Sequence, residues 1–182
     1  MPTASKLLTY DEWLELPETG EGREECVNGV IERMPPPKWT HTVVVERLAR
    51  QLWKQLDERT TMVVSSNFGL VIRQNPLTQR TPDIAVFQLA GLVERDGYIH
   101  SAPELAVEVL SPANTPQKVN EKLADYASIG IPEVWVVAPK ERSVAIHLLT
   151  GSGFATAIHP HDGVTAPVRF PSVPVDFNAI WP

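Results

Sequence analysis

The chain has 182 residues and a mass of 20.2 kDa, the length of one ordinary domain, so residues 1–182 are read as a single domain. Apolar residues at 43% and charged residues at 21% are globular values, which exclude a disordered chain or a coiled coil. A net charge of −6 and a pI near 5.4 argue against a general nucleic-acid coat protein, while leaving room for a local basic cleft.

Thr9-Tyr10-Asp11-Glu12 is a capping box that opens a first helix, with Trp13, Leu14 and Leu16 as its apolar contribution and Pro17 and Gly20 as its stop. Glu25-Cys26-Val27 and Val30-Ile31-Glu32 flank Asn28-Gly29 and predict a tight hairpin. Pro35-Pro36-Pro37 is a stiff connector. A second helix is expected from near Thr40 to about Glu58, with Val44, Leu48, Leu52 and Leu56 repeating at four and Glu46, Arg50 and Gln51 facing away. Met62–Val64, Leu70–Ile72 and Ile84–Phe87 read as strands. Ala102–Leu110 reads as an inner strand, nearly all apolar except Glu104 and Glu108. Thr115–Ile129 is a third helix closed by Gly130, and Val134–Val137 returns as a buried strand, so this passage has the form of a crossover unit. Val144–Leu149 and Ala155–Ile158 read as antiparallel strands before a short tail at Phe177–Trp181. The expectation is an α/β fold with a mixed central β-sheet flanked by helices.

The chemistry-bearing feature is a pair of carboxylates on two strands. Asp83 follows Pro82 at the mouth of one strand, and Glu108 lies inside Leu105-Ala106-Val107-Glu108-Val109-Leu110. An ionised carboxylate among apolar neighbours is costly unless a cation or donors meet it. Two converging on adjacent strands would suit a hard cation such as Mg²⁺ or Mn²⁺, which polarises phosphoryl oxygens. The alternative is that each pairs with an arginine, or that Glu108 sits at an exposed strand end. The residue one step onward on the face of Glu108 is Leu110, so no lysine stands there. On the following helix the apolar stripe centres on Val119, Leu123 and Tyr126. Lys122 falls about 40° from Tyr126 and Lys118 about 100° from Val119. Lys122 can bury its stem and aim inward, or pair as a boundary lysine with Asp125 or Glu121.

In the order Pro82-Asp83-Ile84-Ala85-Val86, Glu104 to Pro112, Glu121-Lys122-Leu123-Ala124-Asp125-Tyr126 and Gly130-Ile131-Pro132-Glu133-Val134-Trp135-Val136-Val137, the chain resembles the Uma-two family of restriction endonucleases in the PD-(D/E)XK nuclease superfamily. Gly29 to Pro37, with His41 at the next helix start, is similar to it as well, and the resemblance spans about residues 9 to 180. It implies a restriction-endonuclease-like fold and Mg²⁺-dependent cleavage of DNA phosphodiesters. On that resemblance Asp83 matches the aspartate of the PD motif and Glu108 the acidic residue of the (D/E)XK motif. Lys122 substitutes for the lysine that the motif lacks, and Glu25 adds a metal-site carboxylate or orients Lys122. The departures are Asn28-Gly29-Val30 where Asp-Gly-Glu is usual, Ala138 where an aspartate is common, and Lys118 where an acidic residue is frequent. None touches Asp83, Glu108 or Lys122.

Other residues carry weaker signals. His159-Pro160-His161 could supply two metal ligands, but Pro160 and the following Asp162-Gly163 read as a loop. His41 could touch a phosphate, cap its helix or lie on the surface. Arg73, Arg80 and Arg95 could meet DNA phosphates or be ordinary surface charges. Cys26, the sole cysteine, excludes an internal disulfide and a cysteine-built zinc site and fits a reducing, cytoplasmic setting; no partner histidine marks it as a nucleophile. No apolar run approaches the roughly 18 residues of a membrane span, and Met1–Lys6 has no apolar core of a secretion signal. The expected function is a metal-dependent endonuclease acting on DNA as a homodimer, two-fold symmetry presenting two sites to two antiparallel strands, with the Ile180-Trp181-Pro182 tail contributing to the dimer contact. The alternative is a catalytically inactive nuclease-fold module that binds DNA or assists assembly.

Overall fold

The computed structural model describes residues 6–17, 23–65, 67–159 and 163–182. In chain order these form α1 (Tyr10–Leu14), β1 (Arg23–Val27), β2 (Val30–Met34), α2 (Trp39–Trp53), β3 (Thr61–Val64), β4 (Leu70–Gln74), β5 (Leu77–Arg80) and β6 (Ile84–Gln88). There follow β7 (Glu94–Arg95), β8 (Tyr98–Ile99), β9 (Leu105–Val109), α3 (Pro116–Ser128), β10 (Glu133–Ala138), β11 (Ser143–Thr150), β12 (Gly153–His159), β13 (Val164–Thr165) and β14 (Val175–Asp176). The chain divides into two compact units, residues 1–36, 67–81 and 93–101 in one, and 37–66, 82–92 and 102–182 in the other.

The first unit is built on a six-stranded sheet in the order β2-β1-β5-β4-β8-β7. Its hairpin forms where Asn28-Gly29 stands, with φ of 51° and 78°, and Val27 pairs with Val30. Both turn residues are left-handed, as a two-residue hairpin requires. A Cβ on Gly29 would also lie 2.6 Å from that of Leu7, so turn and packing select glycine together. The capping box of α1 is present, Glu12 N–H donating to the Thr9 hydroxyl and Thr9 N–H to the Glu12 carboxylate. The buried residue of this helix is Tyr10, however, and Leu14 and Leu16 are exposed. A five-residue helix turns one narrow face inward, and Tyr10 takes it against Cys26, Val71 and Leu77. The predicted stop at Gly20 lies outside the described residues.

The second unit carries the sheet β12-β11-β10-β9-β6-β3. It is mixed: β9 runs parallel to β10 and antiparallel to β6. The β9–α3–β10 passage is the crossover that a parallel pair needs, and β9 is an inner strand, as its apolar run predicts. Val44, Leu48 and Leu52 of α2 pack with Ile84, Val86, Val107 and Val109. The helix ends at Trp53, short of the expected Glu58, because Asp57 organises a turn in which its carbonyl accepts Thr60 and Thr61 N–H. Leu56 still packs on the core from outside the helix, so its spacing reported burial and not helix.

The tail corrects an expectation. Ile180 is fully buried and Trp181 is 4% exposed, both within the core of the second unit. The Trp181 carbonyl accepts from Arg47 of α2, and Phe177 meets Trp135 edge to face at 5.6 Å, a contact worth about 0.5–1.5 kcal/mol beyond its area. With the Ile180 and Trp181 side chains buried within this unit's own core, they are not available as the dimer surface expected of the tail.

Candidate active site

Glu108 is carried by β9 and stands at 7% exposure among fully or nearly fully buried neighbours. The strand's two-residue period sends Leu105, Val107 and Val109 to the α2 side and leaves Glu108 to α3. That helix starts firmly: the Thr115 hydroxyl accepts Lys118 N–H and Pro116 occupies the first turn. It buries Lys122 and Tyr126 while Lys118 stays exposed. The Lys122 ammonium lies 2.9 Å from one Glu108 carboxylate oxygen, and the Tyr126 hydroxyl donates to the other. A small cleft beside them is lined by Leu110, Asn114, Val119 and Leu123. Lys122 therefore faces the strand, and Leu110 borders the same cleft.

Asp83 precedes β6. Ile84 pairs with Val107 and Ala85 with Ala106, and the same register carried one residue further sets Asp83 beside Glu108. Backbone bonds bracket that level: Asp83 N–H donates to the Val107 carbonyl at 3.0 Å, and Val109 N–H donates to Asp83 Oδ2 at 2.7 Å. Asp83 is likewise 7% exposed. The same Oδ2 lies 3.2 Å from Nε2 of His41, in the first turn of α2. His41 is neither cap nor surface residue, since its side chain is 11% exposed and the cap position is Lys38. Asp83 and Glu108 thus stand at one level of adjacent strands, the Asp83 carboxylate met by a ring nitrogen of α2 and the Glu108 carboxylate by the ammonium and phenol of α3. Their donor set, hard oxygen only, is the chemistry that Mg²⁺ or Mn²⁺ takes from one or two carboxylates together with waters and substrate phosphate. Among the described residues no group of three or more His, Cys, Asp and Glu side chains is arranged to hold an ion by itself.

Glu25 belongs to the first unit, on β1. Its carboxylate accepts from Arg80 at 3.0 Å and from Thr81 N–H at 3.0 Å, and both members of the pair are buried. Arg80 is therefore no surface contact for phosphate. Arg73 bonds the Pro76 carbonyl, Thr78 and the Asn28 side chain, and both it and Arg95 are exposed. Cys26 is buried and burial pushes its thiol up from the usual value, which suits a core residue and not a nucleophile. His159 stands against Phe177; Pro160, His161 and Asp162 lie outside the described residues. Sequence reasoning left His41 open and did not assign Tyr126 to the site. The signal for both was present: His41 extends the Val44–Leu48–Leu52 stripe of α2 by three residues, and Tyr126 is one turn from Lys122.

Residues 10–176 match the Uma2 (Uma-two) family, described as "Putative restriction endonuclease". Among solved structures, the chain is similar to one from Anabaena variabilis ATCC 29413 described as "a putative nuclease belonging to DUF820". The two share 21% identity and a TM-score of 0.79 over 96% of this chain and 97% of that one, a likeness of fold. No curated protein matches significantly. Among the described residues no helix is long and apolar enough to cross a membrane.

Proposed function

The chain belongs to the Uma2 family of restriction-endonuclease-like proteins, and on that premise we propose that it is a metal-dependent endonuclease hydrolysing DNA phosphodiester bonds. The observation that carries this reading is the buried Lys122–Glu108 pair, 2.9 Å apart on consecutive elements of the crossover. An ammonium desolvated beside a strand carboxylate is costly for stability alone, which supports a catalytic use for it. Asp83 and Glu108 would hold one Mg²⁺ or Mn²⁺ ion, which would supply Lewis-acid polarisation of a phosphoryl oxygen and of water. Lys122 orients the attacking water through its ammonium protons, and Leu110 keeps the cleft wall apolar beside it. Glu25 acts through Arg80, fixing the β1–β5 pairing that leads into Pro82 and Asp83. Residues 1–182 work as one nuclease-like domain on DNA, in the cytoplasm, and as a homodimer whose contact excludes the buried tail; sedimentation at micromolar concentration should show a species near twice 20.2 kDa.

A second reading is an inactive nuclease-fold module for DNA binding or assembly. It is favoured by the way Lys122 and Tyr126 between them engage both oxygens of Glu108. Supercoiled plasmid incubated with Mg²⁺ or Mn²⁺ separates the two. The endonuclease nicks it, and Lys122→Ala slows nicking by about 10²–10⁴-fold while Lys118→Ala leaves it unchanged. No nicking by the wild type, with no metal binding, supports the inactive module. A dead Lys118→Ala beside a normal Lys122→Ala overturns the lysine assignment.

A further inference from the structure

His41 sits at the inner end of α2, where the helix leaves the core. The stripe Val44, Leu48 and Leu52 is fully buried against β6 and β9, and three residues earlier the same face presents His41. Its Nε2 is 3.2 Å from Asp83 Oδ2. A carboxylate in this setting accepts, so Nε2 carries the proton and donates. The other ring nitrogen, Nδ1, is buried with no hydrogen-bond partner among the described residues. A structural histidine in a core usually uses both nitrogens, because an unmet buried polar atom is costly. This one spends its single polar contact on Asp83.

From this we propose that His41 is a positioning residue for Asp83, holding the carboxylate in the orientation in which it binds a divalent cation. The inference rests on the reading of Asp83 and Glu108 as a cation pair. Two donors converge on the same oxygen, Val109 N–H from β9 at 2.7 Å and the imidazole from α2 at 3.2 Å. The backbone donor meets the carboxylate from the neighbouring strand and the imidazole meets it from α2, and the two directions together oppose its rotation about χ2. Groups that orient a metal-binding side chain in this way commonly change metal affinity by about 10–100-fold when removed.

The test is Mn²⁺ titration of the full chain by calorimetry, with no DNA present. Wild type should bind and Asp83→Ala should not. His41→Ala should weaken binding by about 10–100-fold. His41→Gln, whose amide nitrogen reaches the place of Nε2, should restore most of the affinity. His41→Asn, whose amide stops at the place of Nδ1, should not. Equal Mn²⁺ affinity in wild type and His41→Ala overturns the inference, as does a Gln variant as weak as Asn. If His41→Ala fails to fold by near-UV circular dichroism, the Gln and Asn variants decide it alone. If the wild type binds no Mn²⁺, the cation reading itself falls and this inference with it, a result distinct from every other.

Discussion

Two glutamates on neighbouring strands of the second sheet are both buried and differently met. Glu108 on β9 faces an ammonium and a phenol hydroxyl. Glu133 on β10, 1% exposed, accepts only from neutral donors, the Trp135 indole N–H at 2.6 Å and Val168 N–H at 2.6 Å. Desolvation pushes the Glu133 carboxyl up from its ordinary value, against the opposing pull of those two donors. Burial alone therefore does not mark a reactive carboxylate. Glu133 ties the loop at Val168 to the end of β10, whereas Glu108 brings a mobile-stemmed cation to a cleft.

That contrast can be broken by substitution. Glu108→Ala strands the Lys122 ammonium in a buried site and should cost about 3–5 kcal/mol. Glu133→Ala leaves two neutral donors unmet and should cost about 1–3 kcal/mol. Urea unfolding of the two variants measures both, and a Glu133 variant as damaged as the Glu108 variant would erase the distinction. Replacing the pair together, Glu108→Leu with Lys122→Met, should recover most of the stability lost in Glu108→Ala, since an apolar pair of similar volume carries no stranded charge. Such a protein should be stable and unable to nick plasmid. Tyr126→Phe removes a hydrogen bond to the Glu108 carboxylate and should cost about 1.5–3 kcal/mol by the same measurement.

The smallest expected effect is in pH. Because the Glu133 carboxyl is raised, the folded chain holds its proton more tightly than the unfolded one does. Its contribution to stability is full below the ordinary glutamate value and is lost as pH rises through the raised folded value. Urea midpoints of the wild type, referred to Glu133→Gln at each pH, should therefore fall as pH is raised from about 4 upward. A flat difference would show that Glu133 titrates as it does in the unfolded chain.

Much of this was legible before any coordinates. Asn28-Gly29 located the hairpin because two left-handed residues in a row have few other uses. The apolar run around Glu108 identified an inner strand, and the 40° offset of Lys122 from Tyr126 anticipated which lysine turns inward. Strand β5 was not legible. Its Thr78, Gln79 and Arg80 are polar yet buried, and no alternation betrays a strand whose polar side chains bond Asn28, Glu25 and the strand's own backbone. The end of α2 was misplaced because Leu56 keeps the helical spacing after the helix has stopped. The His41–Asp83 contact joins residues 42 apart in sequence, and the pairing of β6 with β9 that brings Asp83 level with Glu108 is a property of the sheet, not of either segment.

The two compact units are threaded through each other along the chain, which passes from one to the other after residues 36, 66, 81, 92 and 101. No continuous stretch of the gene encodes either unit whole. A single recombination event therefore cannot exchange one unit for a homologue's and keep the other intact. Variation that survives in such a chain has to arrive as point changes or as insertions within loops. The pair Glu108 and Lys122 is the exception, since one uninterrupted strand and helix carry both and can be inherited as a block.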